Sequence, residues 1–231
     1  MSPAADCNLT TFYSLANAKN LQLLRSFFGC LASALHYLHD IKIRHRDIKP
    51  GNILVKGPNV YLTDFGISLN WENLTRSTTT KDTAKSLVYC APEVARYEPR
   101  NSSSDMWSLG CVFLEMFTVI RGRTVDGMRQ FFKVKRCSYR FYENISPAHE
   151  WIPELLILDL GNASDNAISN WIFLMLEENS EARIPAERLY HSIASYRDHS
   201  KNLANPFCGE CCRADTFSVS ESGSDGDQLA D

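Results

Sequence analysis

Between positions 45 and 93 three polar clusters follow one another: His45-Arg46-Asp47-Ile48-Lys49-Pro50-Gly51-Asn52, then Asp64-Phe65-Gly66, then Ala91-Pro92-Glu93. Their surroundings are apolar and periodic. Leu24, Phe27, Phe28, Leu31, Leu35 and Leu38 recur at three- and four-residue spacing, which predicts an amphipathic helix over 21–40 ending at His39-Asp40. Ile53-Leu54-Val55 and Val60-Tyr61-Leu62 flank the turn Lys56-Gly57-Pro58-Asn59, which predicts a small hairpin between the first two clusters. Residues 67–90 lack periodicity and carry Thr75, Ser77, Thr78, Thr79, Thr80, Thr83 and Ser86, the pattern of a long surface loop. Apolar character returns over Met106–Ile120 as a mostly buried helix, with Ser102, Ser103 or Ser104 to cap it. Two more helices are expected over 167–178 and 186–197, separated by Pro185.

The ordered set resembles the catalytic domain of eukaryotic-type serine/threonine protein kinases, whose signature runs H-R-D-x-x-x-x-N, D-F-G, A-P-E. A lone Asp-Phe-Gly is a weak signal. All three motifs in order, with the helix before them and the hairpin between the first two, are a strong one. The resemblance covers residues from about 5 to 200. It implies a mainly α fold, a kinase-like C-terminal lobe with a small β-hairpin beside the catalytic loop, and transfer of the ATP γ-phosphoryl group to serine or threonine hydroxyls of a protein substrate.

The resemblance assigns roles residue by residue. Phosphoryl transfer needs a carboxylate near the attacking hydroxyl and metal ligands across the phosphates. Asp47 would orient the hydroxyl and take its proton, and Lys49 would set a positive charge beside the transferred group. Asn52 and Asp64 would bind Mg²⁺ through oxygen, and Leu54 would floor the adenine. Lys49 marks the serine/threonine branch, and Ser86 stands where the family usually has threonine, in reach of the catalytic Asp and Lys. Lys85 and Leu87 replace the usual glycine and proline beside it. His45, Phe65 and Gly66 would support the site from below a second lobe. Asp105 would anchor the catalytic loop, the alternative being a helix N-terminal carboxylate favoured by the dipole. Arg183 would pair with Glu93, the alternative being an exposed helix-end charge. Arg46 would meet a phosphate on the hydroxyl-rich loop, the alternative being a merely solvated loop.

What precedes the helix departs from the family. The first twenty residues contain no glycine and no strand–loop–strand pattern. Ala5–Tyr13 resembles the linker and first small helix of the C-lobe. The expectation is a chain without the lobe that holds ATP from above, hence weak nucleotide binding, slow turnover, and an apolar surface that a partner could cover. The rival reading is a non-catalytic binding module that uses a kinase surface as a scaffold.

Composition sets the remaining limits. The 231 residues are 44% hydrophobic, enough for one core plus a tail, and divide into 1–200 and a Cys-containing, Ser/Gly/Asp-rich disordered tail over 201–231. A net charge of -3, concentrated in that tail, argues against coating nucleic acid. No signal peptide or transmembrane run is visible, since the apolar stretch Leu109–Ile120 is short and contains Glu115. The eight cysteines are scattered, which suggests reduced thiols in an intracellular protein, cytoplasmic or nuclear, with no membrane partner. Cys208, Cys211 and Cys212 have a spacing that could ligate zinc, but no second pair stands nearby. His36, His39, His149, His191 and His199 show no metal spacing. Gly51 stands where basic-directed kinases carry glutamate, so no arginine-rich substrate is indicated.

Overall fold

In the computed structural model, which describes residues 4–70, 87–158, 162–197 and 205–209, strand β1 (Cys7–Asn8) and the short helix α1 (Leu9–Tyr13) come first. Asn8 ends one and starts the other: its Oδ1 accepts the Thr11 N–H at 3.0 Å and caps α1. The long helix α2 (Ala18–Asp40) is capped in the same way by Asn17, which accepts from Asn20 N at 3.0 Å. These side chains satisfy N–H groups that a first helical turn leaves unpaired. The stripe of Leu24, Phe27, Phe28, Leu31 and Leu35 is buried along its whole length.

Strand β2 (Ile43–Arg44) leads into the His45–Asn52 segment, whose end forms a single turn of 3₁₀ helix at Pro50–Asn52. The predicted hairpin follows as β3 (Ile53–Lys56) and β4 (Asn59–Leu62), antiparallel, with Ile53 opposite Leu62 and Val55 opposite Val60. Gly57 takes φ +54° in the turn, a conformation that costs glycine little. The hairpin is not alone. β1 adds to β3 with Asn8 opposite Leu54, giving a three-stranded sheet in the order β1-β3-β4. A second, two-stranded pairing joins β2 to β5 (Leu69–Asn70), inside the stretch expected to be loop. Both pairings are two residues long, too short for a period-2 signal.

Further along the chain come α3 (Pro92–Ala95) and the core helix α4 (Ser103–Ile120). From Met106 onward almost every side chain of α4 is buried, because α2, α5 and α7 pack around it. The serines do not cap it by side chain. Asn101 Oδ1 instead accepts the Ser103 N–H at 3.0 Å. Gly110 lets α7 approach closely: a Cβ there would lie 2.8 Å from Met175 Cβ. Helices α5 (Val125–Arg136) and α6 (Ile145–Leu156) have no counterpart in the sequence reading. α5 buries only Met128 and Phe132, and α6 carries Pro147 in its first turn and Pro153 inside it. The first feature blurs an apolar stripe and the second suggests a break. α7 (Asn166–Met175) and α8 (Ala186–Ala194) are each shorter than predicted.

The packed body continues into 205–209, residues that the sequence reading places in the tail. Phe207 is fully buried, edge-on to Trp171 at 5.1 Å and to Tyr196 at 5.1 Å, and its carbonyl accepts the Gly29 N–H at 2.8 Å. Asn205 Nδ2 donates to the carbonyl of Ile193 at the end of α8, at 2.6 Å. This docking brings Gly209 beside Cys30, where an added Cβ would lie 3.0 Å from the sulfur. Cys30 is disulfide-bonded, against the expectation of reduced thiols throughout. Cys7, Cys111 and Cys137 are free thiols.

Candidate active site

The loop at 45–52 is fastened to α4 by Asp105. Its buried carboxylate accepts the backbone N–H groups of His45 (2.9 Å) and Arg46 (2.8 Å) and a third hydrogen bond from His39 Nε2 (3.1 Å). An ionised carboxylate only accepts, so Nε2 of His39 carries the proton of that bond. Arg46 sits at φ +71°, a left-handed conformation that costs a non-glycine residue about 1–2 kcal/mol. Bonds from one carboxylate to the two successive amides of His45 and Arg46 hold it there. His39 was given no role by its spacing, because its partner is 66 positions away in sequence.

His45 fixes the next step of the chain. It is fully buried, its Nε2 donates to the Thr63 carbonyl at 2.9 Å, and its Nδ1 accepts from Asp47 N at 3.3 Å. That pattern requires the neutral imidazole. Burial agrees with it, pushing the pKa below the usual 6.5 against the pull of Asp105. The His45 ring lies 5.0 Å from that of Phe65, which is itself 47% exposed. His45 thus links the catalytic-type loop to the strand that delivers Asp64.

Asp47, Lys49 and Asn52 converge on one oxygen. Lys49 Nζ lies 2.5 Å from Asp47 Oδ2, and Asn52 Nδ2 donates to the same Oδ2 and to the Asp47 carbonyl, each at 2.9 Å. Asn52 spends its amide N–H groups on Asp47, which turns its Oδ1 away as an acceptor. Thr63 N donates to the Asn52 carbonyl at 2.9 Å, so the hairpin brings the following Asp64 beside this cluster. Asp64 takes φ +64°, is exposed, and lies tight against Gly66, where a Cβ would come within 3.3 Å of its Oδ1. Leu54 is half-buried on the face of β3 opposite Ile53 and Val55.

Glu93 and Arg183 meet in a bidentate pair, with Nη1–Oε1 and Nη2–Oε2 both at 2.7 Å. Arg183 also donates to the carbonyls of Glu177, Ser103 and Glu178, so all five of its N–H groups are used. Its guanidinium lies 5.1 Å from the centre of the Trp107 ring. Ser86 and the hydroxyls of Thr75–Thr83 lie outside the described residues, as do Cys211 and Cys212. Among the described residues no group of three or more His, Cys, Asp or Glu side chains could hold a metal ion. Nor is any described helix long and apolar enough to cross a membrane.

A second polar cluster escaped the motif reading. Glu115, fully buried in α4, accepts from Tyr89 Oη at 2.9 Å and from Arg129 Nη2 at 3.1 Å, and Arg129 also reaches Tyr89 Oη at 3.2 Å. Desolvation outweighs these partners and raises the Glu115 carboxyl from the usual 4.5 to about 7. The available signal was the acid itself. A carboxylate within an apolar helix must find partners elsewhere.

Comparison with known proteins identifies relatives of the chain. The model of the protein kinase domain matches residues 4–193. The chain is 38% identical over 110 residues to serine/threonine-protein kinase fused of Drosophila melanogaster, 47% of this chain and 13% of that protein. It is 47% identical over 93 residues to serine/threonine-protein kinase Sgk3 of Mus musculus, 40% of this chain and 18% of that one. It is 29% identical over 165 residues to 3-phosphoinositide-dependent protein kinase 1 of Mus musculus, 64% of this chain and 30% of that one. The chain therefore spans less than a third of the length of each of these relatives. With a domain match that covers most of its length and a kinase-like helical lobe, the chain belongs to the protein kinase family.

Proposed function

We propose that the Asp47–Lys49–Asn52 cluster serves transfer of the ATP γ-phosphoryl group to serine or threonine hydroxyls of a protein substrate. The observation that carries this reading is the convergence of an ammonium and an amide on one carboxylate oxygen, beside a second, exposed carboxylate at Asp64. Asp47 aligns the acceptor hydroxyl and takes its proton. Lys49, in contact with Asp47, offers its charge to the phosphoryl group in flight. Asn52 Oδ1 and the Asp64 carboxylate are hard oxygen donors of the kind Mg²⁺ takes, and would hold it; the ion supplies charge neutralisation on the phosphate oxygens. His45 and Asp105 position the loop.

Leu54 floors the adenine. Strand β1 and helix α1 lie against the hairpin, and residues 4–20 carry neither a glycine loop nor a strand lysine. The exposed face at Tyr61 and Phe65 is where an upper lobe or a partner protein seats. The protein works inside the cell, where ATP is.

The test is Mg²⁺-dependent transfer of labelled phosphate from ATP to a serine/threonine peptide library, run beside a nucleotide thermal-shift measurement. Slow transfer is expected, reduced on the order of 100-fold or more by Asp47→Asn with little change in melting temperature. Transfer undiminished in that variant would refute the assignment. Neither transfer nor a nucleotide shift would favour the scaffold reading.

A further inference from the structure

The segment at 205–209 is held by more than packing. Phe207 fills a groove between α2, α7 and α8, with Phe28, Trp171 and Tyr196 around its ring at 6.3, 5.1 and 5.1 Å. Asn205 shapes the segment for this. Its Oδ1 accepts the Phe207 N–H at 2.9 Å, while its Nδ2 donates to the carbonyls of Ile193 (2.6 Å) and Ala194 (3.2 Å). Carbonyls in the last turn of a helix lack an intrahelical donor, so the segment also caps α8. The Phe207 carbonyl accepts from Gly29, in the middle of α2, at 2.8 Å. Two residues on, a Cβ on Gly209 would lie 3.0 Å from the sulfur of Cys30, the α2 cysteine that is disulfide-bonded. Cys211 and Cys212 follow two and three positions later in the sequence.

A buried ring and a covalent bond act on such a segment differently. Of residues 205–209 only Phe207 is fully buried, and a piece of chain with one anchor opens locally at low cost. A disulfide raises the closed population without adding a contact, because it restricts where the opened chain can go. Inside a cell, thiol pools keep most disulfides reduced, and those that form there are usually transient. Cys30 is itself 5% exposed, so a thiol attacks the bond through the sulfur joined to Cys30.

We propose that the Cys30 disulfide is a redox latch that holds 205–209 in the groove of Phe28, Trp171 and Tyr196, and that reduction by a dithiol releases the segment and opens the groove. One thiol of the reductant attacks the sulfur joined to Cys30, and Cys30 leaves as a thiolate and takes a proton. The second thiol then resolves the mixed disulfide. One S–S bond breaks in the chain and one forms in the reductant, with two electrons and two protons passing to two cysteines of the chain. The segment and a free peptide of its sequence then compete for the open groove. Nothing in the latch depends on phosphoryl transfer.

The test uses the whole chain, oxidised and after treatment with dithiothreitol. Chymotrypsin cuts after Phe207 only when the ring has left the groove, so its rate there reads the open population. Reduction should raise that rate about 100-fold, the scale of a disulfide's restraint on the chain it closes. The indole N–H signal of Trp171, edge-on to Phe207, should shift in the same step, while the amides of α4 keep their protection from exchange. Cys30→Ala should behave as the reduced chain with or without dithiothreitol. A labelled peptide of residues 203–210 carrying Cys208→Ser should bind the reduced chain about tenfold tighter than the oxidised one. Equal cleavage rates before and after reduction would overturn the proposal. So would a dithiothreitol effect of the same size in Cys30→Ala, which would place the control in another bond, or loss of protection throughout α4, which would make the disulfide a general staple of the lobe. A peptide that binds both forms alike would overturn the gating of the groove. The dithiothreitol arm needs no variant, so it decides the matter even where Cys30→Ala fails to fold.

Discussion

Replacing Arg183 by methionine should destabilise the lobe by about 4 kcal/mol, and the structure shows how. The Glu93 carboxylate is only 8% exposed and would lose both of its 2.7 Å bonds. Removing one partner of a buried pair costs about 3–5 kcal/mol, because the remaining charge stays out of water without compensation. The carbonyls of Glu177, Ser103 and Glu178 lose a donor too, at roughly 0.5–1.5 kcal/mol each before the loop relaxes toward solvent. Glu93→Gln should cost less, about 2 kcal/mol. Arg183 keeps three carbonyl acceptors in that variant, and the amide oxygen still receives one N–H. The double variant should then lose clearly less than the sum, with a coupling of about 2 kcal/mol. Urea unfolding followed by tryptophan fluorescence measures all three, with Trp107 beneath the guanidinium as one of four reporters. Against a total stability of about 5–15 kcal/mol the effect is large. A loss below about 1 kcal/mol for Arg183→Met, or an additive cycle, would show that the pair is not the clamp described.

Other expectations follow from the same reasoning. Asp105→Asn removes one of two carboxylate oxygens that serve three donors, so at least one buried donor near His45 and Arg46 loses its partner. About 2 kcal/mol of stability should go, and amide exchange at His45 and Arg46 should quicken; unchanged exchange would refute the anchor. Gly110→Ala sets a methyl 2.8 Å from Met175 Cβ and should cost about 1–3 kcal/mol by forcing α4 and α7 apart, read as a lower urea midpoint. Glu115 titrates higher folded than unfolded, so its proton favours the folded state. That contribution is complete below pH 4.5 and is lost as pH rises to about 7, at most about 3 kcal/mol. Glu115→Gln should flatten the fall in stability between those limits, and an identical pH profile in the variant would count against the burial argument.

How much of this lobe could be read from residues alone depends on the range of the forces involved. α2 is legible from its 3.6-residue period, the β3–β4 hairpin from two apolar runs about a Gly-Pro turn, and α4 from one continuous apolar run, each a local signal. The β1–β3 and β2–β5 pairings leave no such trace, since a two-residue strand has no period and exists only by virtue of its partner. Phe207 looks like part of a polar tail until α7 and α8 form the pocket of Trp171 and Tyr196 that buries it. The site divides along the same line. Asp47, Lys49, Asn52 and Asp64 are recognisable because the hairpin that joins them is local, so their spacing is nearly their geometry. Asp105, His39, Tyr89 and Arg129 act across 14 to 66 positions, and no window of sequence contains both ends of those contacts. One local sign of the distant partners did exist. An acid in the middle of an apolar helix is too costly to be left unaccompanied. Glu115 therefore announced that something polar must reach it, without saying that the donors would be a tyrosine two residues before Ala91 and an arginine from a helix the pattern did not reveal.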